Sequence, residues 1–152
     1  MRVSAKADYA VRATVELAGH DGSDPVSAEA LAAAQHIPHR FLEAILRDLR
    51  RDGIVVSRRG SRGGYTLARP AEDVTIADVV RAVDGPLVYV RDERPSDLEY
   101  TGAALSLLHV WVALRANVRA VLERVTIADV ADGTIPAEIR VLLDDSDAWE
   151  NP

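Results

Sequence analysis

Apolar residues recur through the first part of the chain at the spacing of two short amphipathic helices. The first is predicted to run from a Ser4 N-cap to about Gly19. Its apolar stripe comprises Ala7, Ala10, Val11, Thr14, Val15 and Ala18. A loop is expected at 22–25, where glycine, serine, aspartate and proline follow one another. Ser27 then caps a second, alanine-rich helix that is expected to end near Ala34.

A third amphipathic helix follows after so short a turn that the pair forms a helix-turn-helix pattern. Pro38 suits its first position, and Gly53 suits its left-handed cap. The face predicted to be buried consists of Phe41, Leu42, Ile45, Leu46 and Leu49. The opposite face carries Arg40, Glu43, Arg47 and Arg50.

Two short strands, 54–58 and 65–68, are predicted next, and the segment that joins them is rich in arginine and glycine. A hairpin that needed only a turn would use two residues such as Asn-Gly. Arg58, Arg59 and Arg62 therefore favour contact with a phosphate backbone or a narrow DNA groove over a solvated hairpin tip. A helix followed by such a hairpin is a β-wing arrangement, so the expected fold class is mainly α with a small β-wing.

The second half of the chain is predicted to be helical, with an irregular charged segment at 85–102. The pentapeptide TIADV occurs at 75–79 and at 126–130, and each copy indicates a helix start with a T-x-x-D cap. The longest helix is expected over 103–124. Its three-four spacing is typical of a coiled-coil seam and comprises Ala104, Leu107, Trp111, Leu114, Val118, Val121 and Val125. A second packing surface, on the helix's own body, is expected from Leu105, Leu108, Val112 and Leu122.

The net charge of −6 hides a difference between the two halves of the chain. Residues 1–70 carry 11 basic and 8 acidic residues, whereas residues 71–152 carry 7 and 16. The basic half is predicted to be a winged helix-turn-helix DNA-binding domain, residues 1–70. We expect residues 71–131 to form a helical dimerisation region and residues 132–152 an acidic C-terminal tail.

The sequence lacks the residues that several classes of function require. There is no cysteine, which excludes disulfides, thiolate chemistry and cysteine-ligated zinc or iron–sulfur sites. The four histidines lack metal-ligand spacing, and no nucleophile–base pair or phosphate-binding loop occurs, so we predict no metal, no cofactor and no enzyme. A cytoplasmic protein without membrane contact is expected, because no signal peptide and no apolar run near ~18 residues is evident.

Three segments resemble the Rrf2 family of bacterial transcriptional regulators: MRVSAKADYAVRATVELA, IPHRFLEAILRDLRRDGIVVSRRGSRGGYTLARP and TIADVVRAVDGPL. The resemblance covers roughly residues 1–130. It implies a winged helix-turn-helix homodimer that pairs or swaps a long helix and binds a near-palindromic DNA operator. It also implies that Glu43 reads a cytosine edge and that Arg59 enters the minor groove.

The candidate DNA contacts lie on the first helix, the helix-turn-helix or the wing. They are Lys6, Tyr9, Ser27, His39, Arg40, Glu43, Arg47, Arg58, Arg59, Ser61 and Arg62. The candidate dimerisation residues are Leu107, Trp111, Leu114, Val118 and Val121.

Cluster-binding members of that family carry three cysteines between the GPL motif and the long helix. The corresponding stretch here, LVYVRDERPSDLEYTGAALSLLH, has none. Asp8 matches a position that some members use as a fourth ligand, but one carboxylate does not replace three thiolates. We therefore expect an iron–sulfur-independent repressor. A protein-interaction adaptor, and a small-molecule sensor with a pocket between the long helix and segment 86–100, remain the alternatives.

Overall fold

The computed structural model describes residues 2–20 and 24–150, so positions 22 and 23 of the predicted loop lie outside the described residues. The first three helices are α1 (Ala5–Ala18), α2 (Ala28–Gln35) and α3 (His39–Arg51). Both predicted serine caps are confirmed, since the side chains of Ser4 and Ser27 accept hydrogen bonds from the first turns of α1 and α2. Pro38 is the N-cap of α3 and not its first residue.

The wing is a two-stranded antiparallel sheet of β1 (Val55–Arg58) and β2 (Gly64–Leu67). The first strand begins one residue later than predicted and ends at the predicted residue, whereas the second is shifted by one residue toward the N-terminus. Tyr65 also exchanges backbone hydrogen bonds of 2.8 and 2.9 Å with Val26, which anchors the wing to the segment before α2. Gly64 has φ +149°, and a Cβ there would lie 2.5 Å from the Val26 carbonyl oxygen. This close approach requires glycine.

The remaining helices are α4 (Ile76–Asp84), α5 (Leu107–Leu122), α6 (Ile127–Asp132) and α7 (Ala137–Arg140). Both TIADV copies begin helices through complete capping boxes, as their pattern predicts. The structure also joins the two copies. The Ile76 N–H donates to Val125 at 2.9 Å, and the Ile127 N–H donates to Val74 at 2.8 Å.

The core is centred on α1, which packs against α2, α3, α4 and α6. Ala7, Ala10 and Ala13 are buried, and their small side chains let the neighbouring helices approach closely. The α3 side chains predicted to be buried are so, with the exception of Phe41, which is 38% exposed. Phe41 lies at the edge of the buried face, where its ring meets that of Tyr9 at a centroid distance of 5.9 Å.

The long helix begins later than the sequence predicts, because Gly102–Ala104 forms a separate 3-10 turn. Ala104 therefore lies outside α5. No residue of α5, which the structure describes throughout, is fully buried. The segment Gly102–Leu122 is long enough to cross a membrane and has a mean hydropathy of 1.3. It contains Arg115 and Arg119, so it is not an uninterrupted apolar run of the kind that the sequence was expected to lack. A helix whose apolar surface packs against another chain has a similarly apolar composition.

Candidate nucleic-acid interface

The exposed face of α3 carries four of the predicted DNA contacts: His39, Arg40, Glu43 and Arg47. Their spacing of one, three and four residues keeps them on one side of the helix, opposite the buried leucines. The Arg40 guanidinium lies 5.0 Å from the centre of the Phe41 ring. The partly exposed Phe41 thus supports Arg40 by a cation–π contact. A purely apolar pattern does not predict this role.

Glu43, the predicted base-reading residue, is held only loosely. Its carboxylate lies 3.8 Å from His39 Nδ1, and the opposite ring nitrogen lies 3.6 Å from Glu29. The pKa of the Glu29 carboxyl is below its ordinary value, first because its own backbone N–H donates to it, and also because of the nearby His39. Because the Glu43 side chain is 71% exposed and contacts His39 only at 3.8 Å, its carboxylate remains available to a ligand.

The wing tip exposes Arg58, Arg59, Ser61 and Arg62. Within the described part of the chain, none of the three guanidiniums lies within 4.0 Å of a carboxylate. The glycines beside them have a structural reason, since a Cβ on Gly63 would lie 2.3 Å from the Arg58 carbonyl oxygen. The arginines, and not the glycines, therefore indicate contact with an anion.

A side-chain contact between α3 and the wing was not predicted. Arg50 Nη1 donates to the Ser57 hydroxyl of β1 at 3.2 Å. The only sequence signal for this contact was the position of Arg50 on the polar face of α3. The contact links the helix to the hairpin. These are the two elements that carry the predicted DNA contacts.

Lys6, Tyr9 and Ser27 remain predicted DNA contacts, but each has a partner within the chain. The Lys6 ammonium donates to Asp48 Oδ2 at 2.7 Å and to the Val83 carbonyl at 2.8 Å. The Tyr9 ring packs beneath the Arg12 guanidinium at 4.8 Å. The Ser27 hydroxyl accepts from the Ala30 N–H at 3.1 Å.

The predicted dimerisation residues lie beside an apolar groove of about 840 Å³. Trp111, Leu114 and Val118 line its α5 side, whereas α1 and α4 form the opposite wall. Leu107 and Val121 are half-buried. Leu105 and Val112, both expected to pack on the helix's own body, are instead exposed. Three of the five predicted dimerisation residues, Trp111, Leu114 and Val118, therefore face the body of their own chain across this groove.

Two further features complete the helical half. Glu123 accepts from Arg119 at 2.9 Å and pairs with Arg81 of α4, and these hydrogen bonds lower the pKa of Glu123 to about 2.

The predicted acidic tail contains α7 and two 3-10 turns, Val141–Leu143 and Ser146–Ala148. Its side chains beyond Ile139 are exposed.

A cation-bearing helix followed directly by an arginine-tipped β-hairpin, both on one helical core, defines a winged helix-turn-helix DNA-binding protein. The Rrf2 family model, described as "Iron-dependent Transcriptional regulator", matches residues 3–133. The chain belongs to the Rrf2 family, and it is a DNA-binding transcriptional regulator.

Its relatives span nearly the whole chain. Rv1287 of Mycobacterium tuberculosis, which carries the name of an HTH-type transcriptional regulator, is 52% identical over 151 residues, covering 99% of this chain and 94% of the relative. CymR of Bacillus subtilis is 31% identical over 88% of this chain and 92% of its own length. The solved structure of CymR, the global cysteine regulator of B. subtilis, superposes with a TM-score of 0.69 at 30% identity, covering 88% of this chain and 98% of CymR. IscR of T. potens gives a TM-score of 0.69 at 30% identity, covering 100% and 93%.

The family description names iron, but the donor set of this chain does not fit an iron–sulfur cluster. The sequence has no cysteine. Among residues 2–20 and 24–150, no three histidine, aspartate or glutamate side chains are grouped as metal ligands. Asp8 is paired with Arg12 at 2.8 Å. Iron–sulfur clusters depend on thiolate ligands that this chain does not supply.

Proposed function

We propose that the chain is a homodimeric repressor that binds a near-palindromic operator without an iron–sulfur cluster. The observation that carries this proposal is the set of wing arginines without carboxylate partners in the described structure, beside the exposed face of α3. In this arrangement α3 enters the major groove and Arg59 the adjacent minor groove. Such a protein acts on DNA in the cytoplasm and performs no catalysis.

A second copy of the chain is the proposed occupant of the apolar groove. A single helix-turn-helix reads only a short half-site, so two copies are needed for a palindrome. Trp111, Leu114 and Val118 are apolar yet only half-buried in one chain, and Val110 and Val112 on the outer face are exposed. An isologous contact between two α5 helices removes both surfaces from water.

A small-molecule effector is the second candidate for this groove. Its volume of about 840 Å³ lies within the range of ligand sites, and Asp8 and Asp84 add carboxylates to an apolar lining that includes Trp111. Sedimentation distinguishes the two occupants. A dimer that forms without added ligand supports the second copy.

The test of the proposed function is selection of bound duplexes from a random pool, followed by gel shift on the selected sequence. We expect a near-palindromic motif that is bound by two chains per duplex, and a shift that weakens steeply with salt. Recovery of no preferred sequence would contradict the proposal and favour a protein-interaction adaptor.

Independence from iron is tested separately with the purified protein. We expect a colourless protein that binds its operator equally in air and under reductant. An iron–sulfur absorption band after anaerobic reconstitution would contradict this part of the proposal. Repression itself is tested with a reporter that carries the selected operator in its promoter.

A further inference from the structure

One buried carboxylate joins three helices beside the recognition surface. Asp48 of α3 is only 7% exposed. Its Oδ2 accepts from Lys6 of α1 at 2.7 Å, and its Oδ1 accepts from Arg51 of α3 at 3.1 Å. Both carboxylate oxygens are therefore occupied by cations from within the chain.

The same two cations also hold the C-terminal end of α4. Lys6 donates to the Val83 carbonyl at 2.8 Å, and Arg51 donates to the Ala82 carbonyl at 3.0 Å. Cations are favoured there, because the last carbonyls of a helix lack intrahelical partners and carry partial negative charge. We refer to Lys6, Asp48, Arg51 and these two carbonyls as the Asp48 cluster.

The Asp48 cluster continues toward the long helix. Arg81 directly precedes Ala82 in α4, and it pairs with Glu123 at the end of α5. Glu123 also accepts from Arg119 of α5. Polar contacts thus run from α5 through α4 to α3. They connect the proposed dimerisation helix with the helix that carries the candidate base contacts.

We infer that Asp48 is a positioning residue for base recognition, and that Lys6 acts through Asp48 and not as a phosphate contact. This inference rests on the proposed DNA-binding function. Base-edge hydrogen bonds need a fixed helix angle, whereas long arginine side chains keep phosphate contacts after a small rotation. Loss of the Asp48 cluster therefore lowers the preference for the operator over random DNA, while random DNA is still bound.

The experiment compares Asp48→Asn with Asp52→Asn. Both variants remove one negative charge from the same end of α3, and both carboxylates contact Arg51. Only Asp48 reaches α1, and through its cations α4. Lys6→Met and the double variant Lys6→Met/Asp48→Asn complete a cycle. The selected operator and a random duplex of equal length are titrated at several salt concentrations, with thermal unfolding as the check of folding.

We expect Asp48→Asn to lower the operator-to-random affinity ratio by about tenfold relative to Asp52→Asn. Lys6→Met should lower the same ratio with an unchanged salt slope, and it should add little in the Asp48→Asn background. If Asp48→Asn is unfolded at the assay temperature, the salt slope and affinity ratio of Lys6→Met alone decide.

Two results would overturn the inference. One is a Lys6→Met variant whose salt slope falls by about one while operator and random DNA weaken equally, the signature of a phosphate contact. The other is an affinity ratio for Asp48→Asn equal to that of Asp52→Asn. A wild-type protein that prefers no sequence would instead refute the proposed function.

Discussion

At the residue scale, the wing tip combines two requirements that a sequence pattern does not separate. Gly63 and Gly64 are needed because neighbouring backbone atoms leave no space for a Cβ. Arg58, Arg59 and Arg62 have no such structural reason, and within the described residues none of them lies within 4.0 Å of a carboxylate. The glycines shape the hairpin, and the exposed guanidiniums give it groups that bind an anion.

Arg59 provides the most direct test of the wing. We expect Arg59→Ala to weaken operator binding by ~1–3 kcal/mol, because a cation in the narrow minor groove is lost. Arg58→Ala and Arg62→Ala should weaken all sequences about equally and lower the salt slope by about one each. Arg69→Ala is the control, since Arg69 already pairs with Asp78 at 3.4 Å. Unchanged binding and salt dependence in a triple wing variant would contradict the model of DNA contact.

Glu43 is expected to act on specificity more than on affinity. A carboxylate that accepts from a cytosine amine repels phosphate and leaves its oxygens unpaired on a wrong sequence. Glu43→Ala should therefore relax the selected motif while keeping or raising affinity for random DNA. Glu29→Ala removes the other carboxylate near His39 and serves as the matched control. Selection that returns the same motif with equal stringency would show that Glu43 does not read a base.

At the element scale, the agreement between sequence and structure depends on how local each signal is. The caps at Ser4 and Ser27 and both TIADV capping boxes were predictable, since all their partners lie within a few residues. The bridge between the two TIADV copies was not, because it joins positions about fifty residues apart. The internal partners of Lys6 were hidden for the same reason.

Periodicity also fails where a helix has more than one apolar surface. It predicts which α5 residues share a side, but not whether that side faces the chain's own body or another chain. Trp111, Leu114 and Val118 turned out to face a groove beside α1 and α4. Phe41 shows the same limit on α3, since its ring lies at the margin of the core and supports Arg40.

The junction of α4 with α5 should respond to pH through Glu123. Its pKa is lowered from 4.5 to about 2, first by the Arg119 hydrogen bond and then by Arg81. A lowered folded-state pKa stabilises the fold above the unfolded value, and this stabilisation is lost as pH falls from 4.5 toward 2. Glu123→Gln should cost about 1 kcal/mol at pH 7. Urea unfolding should show the difference from wild type shrinking by pH 3.

Glu138→Gln is the control for this pH dependence, because Glu138 pairs with Arg124 and both side chains of this ion pair are exposed. We expect that variant to unfold close to wild type at either pH. A wild-type-minus-variant difference for Glu123→Gln that stays constant from pH 7 to pH 3 would show that the ion pair does not stabilise the junction.

At the scale of the whole molecule, the two halves of the chain differ in net charge and in exposed apolar surface. The first 70 residues have a net charge of +3, and the remainder has a net charge of −9. DNA is therefore attracted to the winged helix and repelled by the helical half. The helical half instead offers apolar surface at α5, the surface that the proposed dimer would use.

We expect operator binding to require the proposed dimer, and substitution of Leu114 tests this expectation. Two winged helices about 34 Å apart can enter successive major grooves on one side of a duplex. Leu114→Glu or Val118→Glu places a charge in the mostly apolar groove of each copy, where burial against a second copy would remove it from water. We expect monomers or aggregates that lose operator binding, although circular dichroism still shows a folded winged helix. Val141→Glu, at an exposed position that does not line the groove, should remain dimeric and bind DNA. Sedimentation beside gel shift separates the outcomes: a dimeric Leu114→Glu variant would place the interface elsewhere, and a monomer that binds the full operator tightly would show that spacing by a dimer is not required.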